Sequence, residues 1–231
     1  MIPLRDNIPS RHPPLITYLL IGANILIFFF QLSLGQGELE RLIFTYGFIP
    51  GRFVAHLGEV PLTALFTPVF TSMFLHGGWL HLIGNVWTLF IFGDNVEDTL
   101  GHGLYFLFYL ASGVVAAFAQ MAAGPFSPVP MIGASGAIGG VMGAYFALFP
   151  QARILTLVPV FLFLIIEVPA YIFLGVWFVM QFFMGTVAFM GPGVKGGVAF
   201  WAHVGGFAAG YGLIRLLVRT PSFRYAARRG W

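Results

Sequence analysis

Gly133-Ala134-Ser135-Gly136 sets a serine between small residues at the start of an apolar run long enough to lie in a bilayer, and Ala202-His203-Val204-Gly205-Gly206 sets a histidine at the start of another. A serine hydroxyl attacks a carbonyl only when a neighbour takes its proton. A histidine with a pKa near neutral can take it and later hand it to the leaving amine. Ser135 and His203 are therefore the candidate nucleophile and general base of a hydrolysis inside a membrane, where polar residues are costly to keep and tend to mark function. A carboxylate would complete a triad, but the only acid after Asp98 is Glu167, expected at the cytoplasmic end of the fifth apolar span. The expectation is a dyad.

Acyl transfer also needs donors aimed at the oxyanion. In His81-Leu82-Ile83-Gly84-Asn85 the two polar side chains stand i, i+4 on one helix face, and with the backbone N–H of Ser135 they can supply that hole. They read equally well as hydrogen-bond partners of neighbouring helices. Gly136, Gly140 and Ala144 repeat at i+4, as do Gly139 and Gly143, and Ala202, Gly206 and Gly210 repeat on the later run. Small-residue stripes let helix backbones approach closely. They are ordinary in membrane helices, but their starts beside Ser135 and His203 favour a contact that joins the pair.

The elements that must hold these groups follow from composition. The 231 residues are 58% hydrophobic and 8% charged, with mean hydropathy +0.89, against about 25% charged in soluble domains. The chain reads as one membrane domain. Apolar runs near 15–33, 72–92, 104–123, 133–150, 168–190 and 199–218 approach the roughly 20 residues a span needs. The stretch from Ile154 to Gly185 is nearly unbroken and fits either two short spans or one span preceded by an interfacial segment. Arginine placement decides. With six spans both termini share a side that collects Arg5, Arg11, Arg153, Arg215, Arg219, Arg224, Arg228 and Arg229, against Arg41, Arg52 and Lys195 opposite, as the positive-inside rule requires.

This topology puts Ile154 to Ile166 at the cytoplasmic surface and Asp94, Glu97 and Asp98 in a cytoplasmic loop. It also sets Ser135, His203, His81 and Asn85 at similar depth below the outer surface. The first loop, Gly35 to Thr71, is too apolar for disorder and is expected to pack at the membrane surface. The resulting organisation is a short cytoplasmic N-terminus over 1–14, a membrane domain over 15–218 and a basic cytoplasmic tail over 219–231. Residues 1–14 show no cleavable signal pattern, and the run that follows reads as an anchor. Cysteine is absent, which excludes disulfides, thiolate metal sites and a cysteine nucleophile. The arginine-rich tail reads as a topology signal, not a nucleic-acid site. His12, His56 and His102 read as solvated.

The motifs resemble those of the rhomboid family of intramembrane serine proteases. His76-Gly77-Gly78-Trp79-Leu80-His81-Leu82-Ile83-Gly84-Asn85 is similar to the family's second-helix motif, Gly133-Ala134-Ser135-Gly136 to its nucleophile motif, and Ala202-His203-Val204-Gly205-Gly206-Phe207 to its sixth-helix motif. The resemblance implies an all-α, six-transmembrane-helix bundle of the compact bacterial type, set in the bacterial inner membrane with cytoplasmic termini. It implies Ser135 as nucleophile and His203 as general base, with His81 and Asn85 stabilising the oxyanion and His76 structural near the opening. The activity so implied is endopeptidase cleavage of transmembrane-helix substrates near the outer interface through an acyl-enzyme, with no cofactor and no metal. Tyr171, or an aromatic near it, is expected to pack against His203. Many members carry a Trp-Arg pair in the first loop where this chain has Gly51-Arg52-Phe53.

Three rival readings compete with this one. A metal hydrolase using His76, His81 and His203 lacks a His-Glu-x-x-His pattern and a nearby carboxylate or cysteine. A small transporter would be expected to show an internal repeat or a carboxylate in the outer half of the bundle. A catalytically inactive rhomboid-like binder of membrane helices would most simply have lost the serine or the histidine, and both are present. If the chain cleaves, its substrates should have helices that unwind easily, with glycine, proline or other small residues near the outer interface.

Overall fold

Among the described residues of the computed structural model, 1–160, 162–190 and 198–218, helices dominate; side chains are described except at 160, 162, 163, 189 and 190. Strand β1 (Ile2–Arg5) precedes helix α1 (Leu15–Ser33), and α2 (Gln36–Tyr46), α3 (Pro50–Ala55), α4 (Leu62–Thr71) and a 3-10 turn (Ser72–Phe74) follow. Then come α5 (Trp79–Leu100), α6 (His102–Ala123), α7 (Ser135–Leu148), strands β2 (Arg153–Val160) and β3 (Leu162–Pro169), α8 (Ala170–Met190) and α9 (Phe200–Leu217). The basic tail over 219–231 and Lys195 lie outside the described residues.

Three of the six expected spans, Leu15–Ser33, His102–Ala123 and Ala170–Ala188, are long and apolar enough to cross a membrane. Helix α5 has 22 residues but carries Asp94, Glu97 and Asp98 near its end. Helix α7 has 14 residues, a rise of about 21 Å against a hydrocarbon core of about 30 Å. It is the central element, with every residue from Gly136 to Tyr145 buried, and it packs against α9, α6, α5 and α8. The two small-residue stripes face each other there. A Cβ on Gly206 would lie 2.0 Å from Gly136 O, and one on Gly210 would lie 1.9 Å from Gly140 O. No larger side chain fits either position without moving a helix.

Three expectations change. The second expected span is α5, running 79–100 instead of 72–92. The apolar run before it belongs to α4 and the 3-10 turn, which a hydropathy window merges with the span. Asp94, Glu97 and Asp98 are therefore helical, and they tie down the N-terminal segment. Glu97, 1% exposed, accepts Ile16 N–H and Thr17 N–H, each at 2.8 Å, and Thr17 Oγ1–H at 2.7 Å. It thereby caps the first turn of α1, which has no side-chain cap of its own. Asp98 accepts the backbone N–H groups of Arg11 and His12, and Ser10 donates to Asp94. His12 and His102, expected to be merely solvated, pair with Asp98 at 2.7 Å and Glu97 at 2.6 Å, and exposed His56 lies 3.6 Å from Glu59.

The second change is a sheet in a chain expected to be all-α. The stretch expected at the membrane surface instead contributes residues 154–160 to β2 and 162–166 to β3, which pair antiparallel, and β1 joins β2 to give the order β1-β2-β3. Residues such as Ile154, Thr156, Val158, Ile165, Ile166 and Val168 suit a pleated surface, and Ile154, Thr156 and Val168 are buried. Glu167, expected at the end of the fifth span, sits exposed in β3 opposite Leu155. Nearby, Tyr145 donates to Asp6, and burial pushes the Asp6 carboxyl up to about 6.

The third change concerns the long first loop, which is helical. Phe48, Phe53, Leu65 and Val69 form a buried cluster with Ala117 of α6. Arg52 donates to the carbonyls of Phe44, Thr45 and Gly47, placing positive charge where the α2 dipole is negative.

Candidate active site

Ser135 is the first residue of α7, so its backbone N–H has no acceptor within the helix. The chain enters through Gly133, whose φ of +120° is one that side-chain-bearing residues rarely adopt. A Cβ on Gly133 would also lie 2.4 Å from His81 Nε2 and 3.6 Å from Asn85 Nδ2. His203 is in the first turn of α9, its own N–H donating to Ala199 O. Because the glycine stripes let α7 and α9 touch, the two helix starts lie side by side, and Ser135 Oγ lies 2.7 Å from His203 Nε2.

His81 and Asn85 line the same cavity, of about 750 Å³, as Ser135 and His203. Its remaining walls are largely apolar, including Val69, Met73, Met131 and Ile132. Gly77 N–H donates to His81 Nδ1 at 3.4 Å, which leaves the proton of a neutral ring on Nε2, beside Gly133. Asn85 is fixed from behind. His76 Nδ1 faces Phe74 O at 3.3 Å, so its Nε2 accepts from Asn85 Nδ2 at 2.9 Å. The main chain of His76 is clamped in turn by buried Gln31 on α1, whose amide accepts His76 N–H at 2.9 Å and donates to His76 O at 3.0 Å. Both ring nitrogens of His76 are thus engaged within the protein.

Ser135, His203, His81 and Asn85 thus line one pocket, and the groups around His203 differ from expectation in two ways. The ring packed against His203 is Trp177, tilted to it, with centroids 5.8 Å apart and planes at 32°. Tyr171 stays exposed at the start of α8, its N–H donating to Pro150 O. The second is Gln181, whose Oε1 lies 2.7 Å from His203 Nδ1. Trp177 and Gln181 stand i, i+4 on α8, so one face presents both. The available signal was the polar residue itself, Gln181 in an otherwise apolar run from Ala170 to Phe183.

Residues 63–220 match the Rhomboid domain family. The chain is 38% identical over 132 residues to "Rhomboid protease GluP" of Bacillus subtilis, covering 57% of this chain and 24% of that protein. It is 28% identical over 209 residues to "Rhomboid protein 1, mitochondrial" of Saccharomyces cerevisiae, covering 87% and 53% respectively. With "Putative rhomboid protease YdcA" of Bacillus subtilis it shares 34% identity over 132 residues, covering 57% and 61%. The chain therefore spans between about a quarter and three fifths of these relatives' own lengths. Its apolar helices of spanning length and this match make it an integral membrane protein. With most of its length inside the matched region, the chain belongs to the rhomboid family.

Proposed function

We propose that the protein is an intramembrane serine endopeptidase that cleaves transmembrane-helix substrates near the outer membrane interface. The observation that carries this reading is the 2.7 Å approach of Ser135 Oγ to His203 Nε2 inside an apolar-walled pocket. Similarity to "Rhomboid protease GluP" and "Putative rhomboid protease YdcA" supports it. Ser135 Oγ attacks the scissile carbonyl carbon as its proton passes to His203 Nε2. The resulting oxyanion takes hydrogen bonds from Ser135 N–H, His81 Nε2–H and Asn85 Nδ2. Collapse breaks the C–N bond, and the amine leaves with the proton held by His203. Water then attacks the acyl-enzyme, gives its proton to His203 and releases the carboxylic product, restoring Ser135.

The bundle is read as six spans, with α5, α7 and α9 completing the set in a bacterial inner membrane and both termini cytoplasmic. In support, Arg5, Arg11, Arg153 and Arg215 belong to the sheet end, whereas Arg41 and Arg52 belong to the α2–α3 segment at the pocket end. The partners on this reading are the bilayer and membrane-spanning proteins with easily unwound helices.

The test is cleavage of a model transmembrane substrate by purified protein in lipid vesicles, wild type against Ser135→Ala, with and without a chelator. The dyad requires loss of cleavage in Ser135→Ala and indifference to the chelator. Retained cleavage in the variant, or its abolition by metal removal, overturns the reading. Capture of the substrate helix by wild type without any cutting identifies an inactive binder, and solute flux without cutting identifies a transporter.

A further inference from the structure

We infer that Gln181 is the positioning residue for His203, a neutral acceptor standing where a triad would hold a carboxylate; this rests on the reading of Ser135 and His203 as nucleophile and base. A neutral imidazole carries one ring proton. With Gln181 Oε1 2.7 Å from Nδ1, an oxygen that can only accept, that proton belongs on Nδ1. The Nε2 lone pair then faces Ser135 Oγ at 2.7 Å, which is the tautomer a general base needs. Trp177, one turn earlier on α8, packs against the same ring. One helix thus sets the tautomer and the tilt of the imidazole. From the other side, Gln120 of α6 accepts Ala202 N–H at 3.2 Å and steadies the first turn of α9.

An amide suits this depth better than an acid. An ionised carboxylate in apolar surroundings carries a large desolvation penalty, whereas the amide oxygen offers the same acceptor geometry without a charge. The cost is electrostatic. An amide orients the ring but adds no negative charge to favour the imidazolium that forms when Ser135 gives up its proton. The one acid after Asp98, Glu167, is exposed in β3 and leaves the acceptor role to Gln181. Among the described residues, the other titratable side chain lining the pocket is His81.

Two variants of the purified chain in vesicles test this beside Ser135→Ala. Gln181→Leu keeps bulk and removes the acceptor. It should lower kcat by about 10- to 100-fold, with KM within about twofold, and slow fluorophosphonate labelling of Ser135 to match. Gln181→Glu restores the acceptor and adds charge. The acid limb of its pH–rate profile should move to higher pH by about one unit or more, because an adjacent carboxylate favours protonated His203. Wild-type kcat and labelling in a folded Gln181→Leu protein overturn the inference, as does an unshifted profile in Gln181→Glu. Should Gln181→Leu fail to fold, the Gln181→Glu profile decides alone. A cutting Ser135→Ala variant would instead indict the dyad itself, a result that either Gln181 outcome leaves distinguishable.

Discussion

At the sheet end of the bundle, Glu97 meets the first turn of α1 with both carboxylate oxygens in use, one on Ile16 N–H and the other on Thr17 N–H and Oγ1–H. At the pocket end, Ser135 and His203 also stand in the first turns of helices, α7 and α9. There, among the described residues, His81 Nε2 has no hydrogen-bond partner, and the N–H of Ser135 starts its helix with no intrahelical acceptor. The two ends use similar groups at helix starts and differ in what is left over. Where every donor meets an acceptor, the arrangement is structural; where donors converge on a cavity unspent, they are available to a reacting group.

That difference can be broken at several points, beginning with the packing both ends share. Gly210→Leu would drive a side chain into Gly140 O on α7. Overpacking of this kind costs up to about 3 kcal/mol or more, so the yield of folded protein on size-exclusion chromatography in detergent should collapse. Glu97→Ala leaves the N–H groups of Ile16 and Thr17 without their acceptor, while the Thr17 hydroxyl keeps Tyr105 OH at 3.3 Å. Thermal unfolding should report a loss of about 3 kcal/mol, while the folded fraction keeps wild-type kcat. An unstable variant with an altered kcat would mean that the two ends are coupled.

Asn85→Ala sharpens the contrast from the pocket side. As a proposed oxyanion donor, its loss should reduce kcat by about 100-fold, near 2.7 kcal/mol of transition-state stabilisation, with KM little changed. A fall in thermal midpoint with unchanged kcat would instead return Asn85 to the structural class. The smallest effect is expected at Asp6. Burial raises its carboxyl to about 6, above the unfolded range near 4. The folded state therefore binds this proton more tightly than the unfolded chain does. The stability it contributes is present below about pH 4 and lost as pH rises through about 6. Asp6→Asn should raise the thermal midpoint slightly at pH 8, and the gap from wild type should close by pH 4.

Ser135, His203, His81 and Asn85 were legible because a polar residue at the start of an apolar run is rare and costly, and the stripes from Gly136 and Ala202 predicted which helices touch. The pairing of β2 with β3 was not legible. From Ile154 to Ile166 both faces read as apolar, so no period-2 signal separates strand from span. The extent of α5 was hidden because its acids lower hydropathy where the chain remains helical, and their partners on α1 lie about 80 residues away in sequence. Trp177 and Gln181 were missed because nothing in the apolar run fixes the rotational phase of α8 relative to His203. That phase is set by tertiary packing of α8 on α9.

The most direct test of the central claim is to map the adduct of a fluorophosphonate probe by peptide mass spectrometry in wild type and His203→Ala. A Ser135–His203 dyad predicts a covalent phosphonyl group on Ser135 alone in wild type, formed at least about 1,000-fold more slowly when the histidine is removed. An adduct on another residue, or equal labelling of Ser135 without His203, would contradict it.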